Sequence, residues 1–399
     1  MLEPEDSSPP IRRTPLVPVT EVINDPTELK KAVDQLAAGV GDIAIDAERA
    51  SGYRYFQRAY LIQIYRTGSP IVLIDPIDLD LTSLRDFLVD IPWILHAATQ
   101  DLPCLNELGL YPAELFDTEL AAKLLGFPRV GLAALTESLL EVSLAKEHSA
   151  VNWSIRPLQP DWLSYAALDV ELLPSLKDLL TEQLKQTDRL RWAEQEFATL
   201  KTFKPNGPRV DQWRRTSGMH ELPHRRQKAI VKELWTVRDE IAKQLDLSPG
   251  RLLNDRVIIA ITKLAQQKPI TPEQVKKLLR GPAQDYLPQW LQAIATAQSL
   301  AEAELPRSSK RDDAIPNPKA WEEVKPTAAA RWGKHRPAAT ELAAELEIAP
   351  EVLISPDILK KFCWEDDAPT KHTEILQRLL ELGSREWAAA LIAEKFAET

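Results

Sequence analysis

Cysteine is almost absent from this chain: Cys104 and Cys363 are the only two in 399 residues, and they show no metal-ligand spacing. That excludes a disulfide framework and a zinc ribbon, and the expectation is a reduced, cytoplasmic protein with structural thiols. Histidine is scarce as well. The six histidines form no HxH pair, which argues against an imidazole-built zinc site. No run of 18 apolar residues occurs, so no membrane-spanning helix and no membrane partner are expected. Residues 1–18 have no apolar core of the signal-peptide kind; acidic and rich in Pro and Ser, they read as a disordered tail.

Positive charge is in short supply overall, with a net charge of −10, but the shortage is uneven. Residues 1–200 carry 17 Lys and Arg against 31 Asp and Glu, whereas residues 201–280 carry 18 against 8 and residues 281–399 carry 14 against 20. An acidic module therefore precedes a basic one, and such asymmetry points to a nucleic-acid partner for the basic part.

Residues 26–40 predict a helix, with Asp25 as its cap, Pro26 in its first turn and Gly41 after its end. Four short runs rich in β-branched or aromatic residues predict strands at 42–48, 60–65, 71–75 and 93–98, the first two paired as a hairpin across the loop 49–59. Helices are expected at 101–109, 117–126, 131–141 and 159–200, the last interrupted near Pro174. This is an α/β domain over 19–203 with a mixed sheet covered by helices. A linker at 204–219 leads to an all-α segment at 220–302, where Ile230, Leu234, Val237, Ile241 and Leu245 fit one helix face. A Pro-bearing linker at 303–330 precedes a second helical segment at 331–399, similar in style to the first and compatible with a weak internal repeat.

Three elements carry candidate chemistry. In IAIDAER, alternation along a strand puts Ala44, Asp46 and Glu48 on one face and Ile43 and Ile45 on the other. The two acids are then about 7 Å apart at Cα, close enough to converge on a divalent cation, which would relieve their mutual repulsion. A solvated strand end is the plain alternative. In WILHAATQDLPCL, Asp101 follows a strand ending at His96 and opens a helix, which alone reads as an N-cap. In DWLSYAALDVELL, Tyr165 and Asp169 are one helical turn apart on a common face. Asp117 in FDTELAAKLL reads as a helix cap.

The order strand DxE, strand-to-helix Asp, helix YxxxD resembles the ribonuclease D family, the tyrosine-bearing subgroup of the DEDD 3′→5′ exonucleases, over residues 20–200. The resemblance implies a ribonuclease H-like fold, a site holding two divalent ions (Mg²⁺ or Mn²⁺) on Asp46, Glu48, Asp101 and Asp169, and Tyr165 as the residue that orients the attacking water. Ions about 4 Å apart in such sites stabilise both the attacking and the leaving oxygen at phosphorus. The family's first motif is commonly DTEF; here Ala47 and Arg49 flank the acids. Arg49 either contacts a phosphate or projects to solvent.

The segment 220–282, with Trp235 and Arg238 central in a long helix, an Asp-Leu-Ser-Pro turn and a Leu-Leu-Asn-Asp segment, resembles the helical domain shared by helicases and ribonuclease D (HRDC). That resemblance implies an auxiliary nucleic-acid-binding module, with His224, Arg225, Arg226 and Lys228 at its start and Lys276, Lys277 and Arg280 near its end as candidate contacts. Arg54, Tyr55 and Arg58 in the loop 50–60 suit phosphate contact and base stacking, or else pack on the domain. The combined expectation is a monomeric exoribonuclease that trims RNA carrying a free 3′ end, such as a tRNA precursor, to nucleoside 5′-monophosphates. The alternatives are a DNA exonuclease of the same fold and a non-catalytic binding module.

Overall fold

The structure, a computed structural model, describes residues 11–144, 150–205, 207, 210–267, 270–307 and 315–398. Along the first half run β1 (Ile11–Arg12), β2 (Val19–Ile23), α1 (Pro26–Ala37), β3 (Val40–Arg49), β4 (Ala59–Thr67), β5 (Ile71–Ile74), α2 (Thr82–Leu88), β6 (Trp93–Leu95), α3 (Leu102–Glu107) and β7 (Leu115–Asp117). Then come α4 (Thr118–Leu124), α5 (Leu132–Leu140), β8 (Ser143–Leu144), α6 (Pro160–Glu171), α7 (Leu173–Gln186) and α8 (Leu190–Leu200). Strands β2 to β7 form one mixed sheet in the order β2-β5-β4-β3-β6-β7, with β4 antiparallel to both its neighbours and the remaining pairs parallel.

The predicted hairpin is present: β3 and β4 pair with Asp46 opposite Gln63 and Glu48 opposite Leu61. The two-faced reading of β3 needs correction, because Ala44 is as fully buried as Ile43 and Ile45. Helices cover both faces of a central strand, so its interior stretch is apolar on either side; the acids appear only where β3 approaches the end of that cover. Strands β2 and β7 were not foreseen. β7 is three residues long, and the helix expected from 117 starts at Thr118 with Asp117 as its cap. The strand expected at 93–98 stops at Leu95, because Ala97 turns the chain with φ +58°.

The expected disordered tail also needs correction from Ile11 onward; residues 1–10 lie outside the described residues. β1 pairs in parallel with β8, and the buried carboxylate of Glu171 accepts from Leu16 N at 2.6 Å and Val17 N at 3.2 Å. A buried acid two residues past Asp169 thereby ties down a segment whose composition alone suggested none of this order.

The rest of the chain is helical: α9 (Arg225–Gln244), α10 (Pro249–Leu252), α11 (Asp255–Gln267), α12 (Pro272–Leu278) and α13 (Leu287–Ser299), then α14 (Trp321–Val324), α15 (Pro326–Glu345), α16 (Pro350–Leu353), α17 (Pro356–Trp364), α18 (His372–Glu381) and α19 (Glu386–Glu398). The segment from Trp213 to Leu305 buries its own core, around Ile230, Leu234, Ile258 and Trp290. Leu245 follows the end of α9 and stands 40% exposed, apart from the face assigned to it. The last segment has no separate core. Trp321, Phe362, Trp387 and Phe396 belong to the same apolar cluster as the sheet. Trp387 stacks on Trp192 of α8 at 4.4 Å, and its indole N–H donates to Glu196 at 3.1 Å. Gly126, with φ +79°, must be glycine there, since a Cβ would collide with the Glu347 carbonyl.

Candidate active site

β3 delivers Asp46 and Glu48 from its last residues, and α6 brings Asp169 against them. One carboxylate oxygen from each of the three lies within 4.8 Å of the other two. Asp101, at the start of α3, is 5% exposed and shares a hydrogen bond with Asp46. Its carboxylate makes no capping bond to α3, so the cap reading does not hold for its side chain and both oxygens are left for the acid cluster. Tyr165 hydrogen-bonds to Asp169, as the one-turn spacing requires. The structure thus brings together all five residues of the three motifs.

Burial pushes all four carboxyls above their ordinary range. Asp46, Asp169 and Asp101 add repulsion at Glu48, which has the most like-charged neighbours of the four. Arg49 opposes the shift at Asp46, Glu48 and Asp101, and its guanidinium approaches Asp101 at 3.9 Å. Burial and the adjacent acids also push the Tyr165 phenol far upward, which keeps its proton on near neutral pH. An all-oxygen donor set whose members disfavour one another's charge suits a hard divalent cation, which would hold every carboxyl ionised. The nearby Cys104 thiol donates to the Asp101 carbonyl at 3.1 Å and is pushed up to about 12 by burial.

Sequence reasoning missed how Asp101 is carried to the site. Asp117 accepts from Ala97 N at 3.2 Å, Ala98 N at 2.8 Å and Leu120 N at 3.0 Å, so its carboxylate serves the β6–α3 corner as well as capping α4. Nothing in a single sequence distinguishes such a clamp from an ordinary cap.

The candidate nucleic-acid contacts fare unevenly. Tyr55 faces the helical unit: its hydroxyl donates to Asp239 at 3.1 Å, and its backbone N–H and that of Phe56 each donate to Asp246 at 3.1 Å. Arg54 donates to Ser154 at 2.8 Å, and Arg58 lies over the Phe56 ring at 5.1 Å. Arg251 completes the junction, donating to Gly52 O at 2.6 Å and lying 3.8 Å from the Tyr53 ring centre. Arg225 and Arg226 are spent on carbonyls of residues 297–306, which close the helical unit. Arg280 donates to the carbonyls of Lys277 and Leu279. Lys228 is half-buried, and Lys276 and Lys277 are exposed. His220 and His224 are four apart but fall on a 3-10 turn and at the cap of α9, not on one helix face.

Family profiles match the chain in three places: "3'-5' exonuclease" over residues 20–185, "HRDC domain" over 227–294 and "3' to 5' exonuclease C-terminal domain" over 314–399. A ribonuclease D of Jannaschia sp. (strain CCS1) is 31% identical over 69% of this chain and 74% of its own length. That of Gluconacetobacter diazotrophicus is 29% identical over 82% and 81%. Among solved structures, a protein from Bifidobacterium adolescentis superposes with TM-score 0.84 at 34% identity, covering 98% of this chain and 99% of that one. Escherichia coli RNase D, at 24% identity and TM-score 0.64 over 91% and 98%, shares the fold.

Proposed function

The chain belongs to the ribonuclease D family and is a 3′→5′ exoribonuclease, and from that premise we propose that Asp46, Glu48, Asp101 and Asp169 hold two divalent ions, Mg²⁺ or Mn²⁺, at which the terminal phosphodiester is hydrolysed. The observation that carries the assignment is the convergence of three carboxylate oxygens within 4.8 Å, with Asp101 hydrogen-bonded to Asp46 beside them. When bound, the ions would lower the pKa of a water and neutralise the departing 3′ oxygen. The four acids supply fixed negative oxygens on one side of the reacting phosphate. Asp169 holds the Tyr165 hydroxyl, which orients the water for in-line attack on phosphorus. The bond to the 3′ oxygen breaks as the bond to water forms, giving a nucleoside 5′-monophosphate and an RNA one residue shorter with a new 3′ hydroxyl. Arg49, beside Asp101, is placed to meet a phosphate oxygen once the acids are neutralised by cations.

The substrate class follows as structured RNA with a free 3′ end, tRNA precursors among them, held in part by the exposed Lys276 and Lys277 of the helical unit. The test is an oligonucleotide ladder with free and blocked 3′ ends, with matched DNA alongside, in Mg²⁺, Mn²⁺ or chelator. We expect stepwise shortening of unblocked RNA only, abolished by chelator and by Asp46→Asn. Equal degradation by wild type and Asp46→Asn would refute the site, and preference for DNA would refute the substrate.

A further inference from the structure

We propose that Asp117 is a positioning residue for Asp101, acting by clamping the corner between β6 and α3; this rests on Asp101 being a metal ligand. The chain leaves β6 at Leu95 and must reach Asp46 with the Asp101 carboxylate only six residues later. It does so through Ala97 at φ +58°, a left-handed conformation that strains a residue with a Cβ. Such strain persists only where the surroundings over-determine it. Here they do, because the N–H groups of Ala97 and Ala98 both end on the Asp117 carboxylate, at 3.2 and 2.8 Å.

Three further bonds connect that clamp to the site and to the helix behind it. The Ala98 carbonyl accepts from Asp101 N at 3.2 Å and Leu102 N at 2.9 Å, so the residue whose N–H is held by Asp117 is also the one from whose carbonyl α3 hangs. Leu120 N anchors the same carboxylate to α4 at 3.0 Å. Register supplies the placement: β7 runs parallel to β6 with Asp117 opposite Leu95, at the point where β6 ends.

The neighbouring residue reinforces the clamp. Thr118 Oγ1 lies 3.2 Å from Leu95 O and 2.9 Å from His96 Nδ1, within hydrogen-bonding distance of both, and burial lowers the His96 pKa to about 4. Asp117 and Thr118 thus fix four consecutive residues, 95–98, while Asp101 keeps its own carboxylate free of any capping bond.

The test is Mn²⁺ titration calorimetry on the full-length chain, for wild type, Asp117→Asn, Asp117→Ala, Asp101→Asn and the Asp101→Asn/Asp117→Asn double variant, with turnover at saturating RNA measured alongside. Residues that orient a metal ligand typically cost about 10- to 100-fold in metal affinity when lost. Asp117→Asn, which keeps one accepting oxygen, should weaken Mn²⁺ binding about 10-fold, Asp117→Ala should weaken it more, and turnover should fall with affinity. If Asp117 acts through Asp101, the double variant binds Mn²⁺ no more weakly than Asp101→Asn alone. Additive losses would overturn the proposal, as would Asp117→Asn binding like wild type while Asp101→Asn does not. Wild-type affinity in Asp101→Asn itself would instead remove the reading of Asp101 as a ligand, and the proposal with it.

Discussion

Replacing Glu48 by Gln should stabilise the metal-free protein while destroying its activity. Like charges no more than 4.8 Å apart, as the Asp46, Glu48 and Asp169 oxygens are, repel by at least about 3.5 kcal/mol per pair at an effective dielectric near 20. Glu48 also feels Asp101, and among the described residues no hydrogen bond is recorded to its carboxylate that the substitution would forfeit. Proton uptake relieves part of the repulsion, so the expected net gain is about 1–3 kcal/mol, the ordinary scale of one substitution. At about 2–4 °C per kcal/mol for a large domain, melting should rise by about 2–12 °C.

The sign with pH follows from the direction of the shift. A carboxyl with its folded pKa raised leaves stability intact below its unfolded value, near 4.3, and costs stability as pH rises through the folded value. The advantage of Glu48→Gln should therefore appear at pH 8 and vanish by about pH 4. Adding Mn²⁺ should invert the order at pH 8, because bound metal stabilises wild type by about 2.7 kcal/mol at one hundred times its dissociation constant. Calorimetric melts in chelator and in Mn²⁺, at both pH values, measure all of this. A metal-free variant melting at or below wild type at pH 8 would refute the reasoning. So would an advantage that persists undiminished at pH 4, which would mean packing rather than charge.

Two other predictions follow from the same geometry. Tyr165→Phe removes the hydroxyl that Asp169 holds but leaves all four carboxylates, so turnover should fall at least 10-fold, on the scale of a lost proton-positioning group, while RNA affinity in gel shift stays within about twofold of wild type; a matching loss of binding would contradict the role. Truncation at residue 203 should prevent stable folding, because it strips Trp387 from Trp192 and the helices after Trp321 from the core shared with the sheet. Replacing residues 206–314 by a Gly-Ser linker of about 15 residues, spanning about 20 Å, should instead leave a protein that melts cooperatively and cleaves RNA with a shallower salt dependence; the reverse pattern in circular dichroism would refute the division of cores.

The catalytic motifs were legible because each depends on a period intrinsic to its element: two residues along β3 for Asp46 and Glu48, four along α6 for Tyr165 and Asp169. Their common order then tied in Asp101, which had looked like a cap when read alone. Charge was a poorer guide. Arg225 and Arg226 counted toward the basic balance of the helical unit, yet their guanidiniums bond carbonyls between Ala297 and Pro306 and close that unit on itself. Composition records how many cations a segment has, not which of them face solvent. Tyr55 illustrates the same limit, since nothing in the loop 50–60 could identify Asp239 and Asp246, some 190 residues on, as its partners. Strands β2 and β7 were missed for another reason: with five and three residues, they take their identity from the neighbours they pair with rather than from their own pattern.

The two helical segments use one local device to grip the nuclease at different places. Each contains a 20-residue helix, α9 or α15, passes from it through an acidic residue in the left-handed conformation, Asp246 at φ +44° or Glu347 at φ +54°, and continues into a four-residue helix opened by proline. In the first segment this turn meets the loop after Glu48: Asp246 accepts from Tyr55 and Phe56, and Ser248 N donates to Tyr53 O at 3.0 Å. In the second, Arg189 donates to Leu346 O at 2.6 Å, and the Glu347 carbonyl seats against Gly126. The first contact is made around one loop, by hydrogen bonds and the Tyr53 and Tyr55 rings, and leaves the helical unit its own core; the second continues into a shared apolar core. The division of labour follows from that difference in buried apolar surface. The last segment is part of what holds the sheet and its acids together, whereas the HRDC unit rests on the hairpin loop that leaves the site and keeps a core of its own.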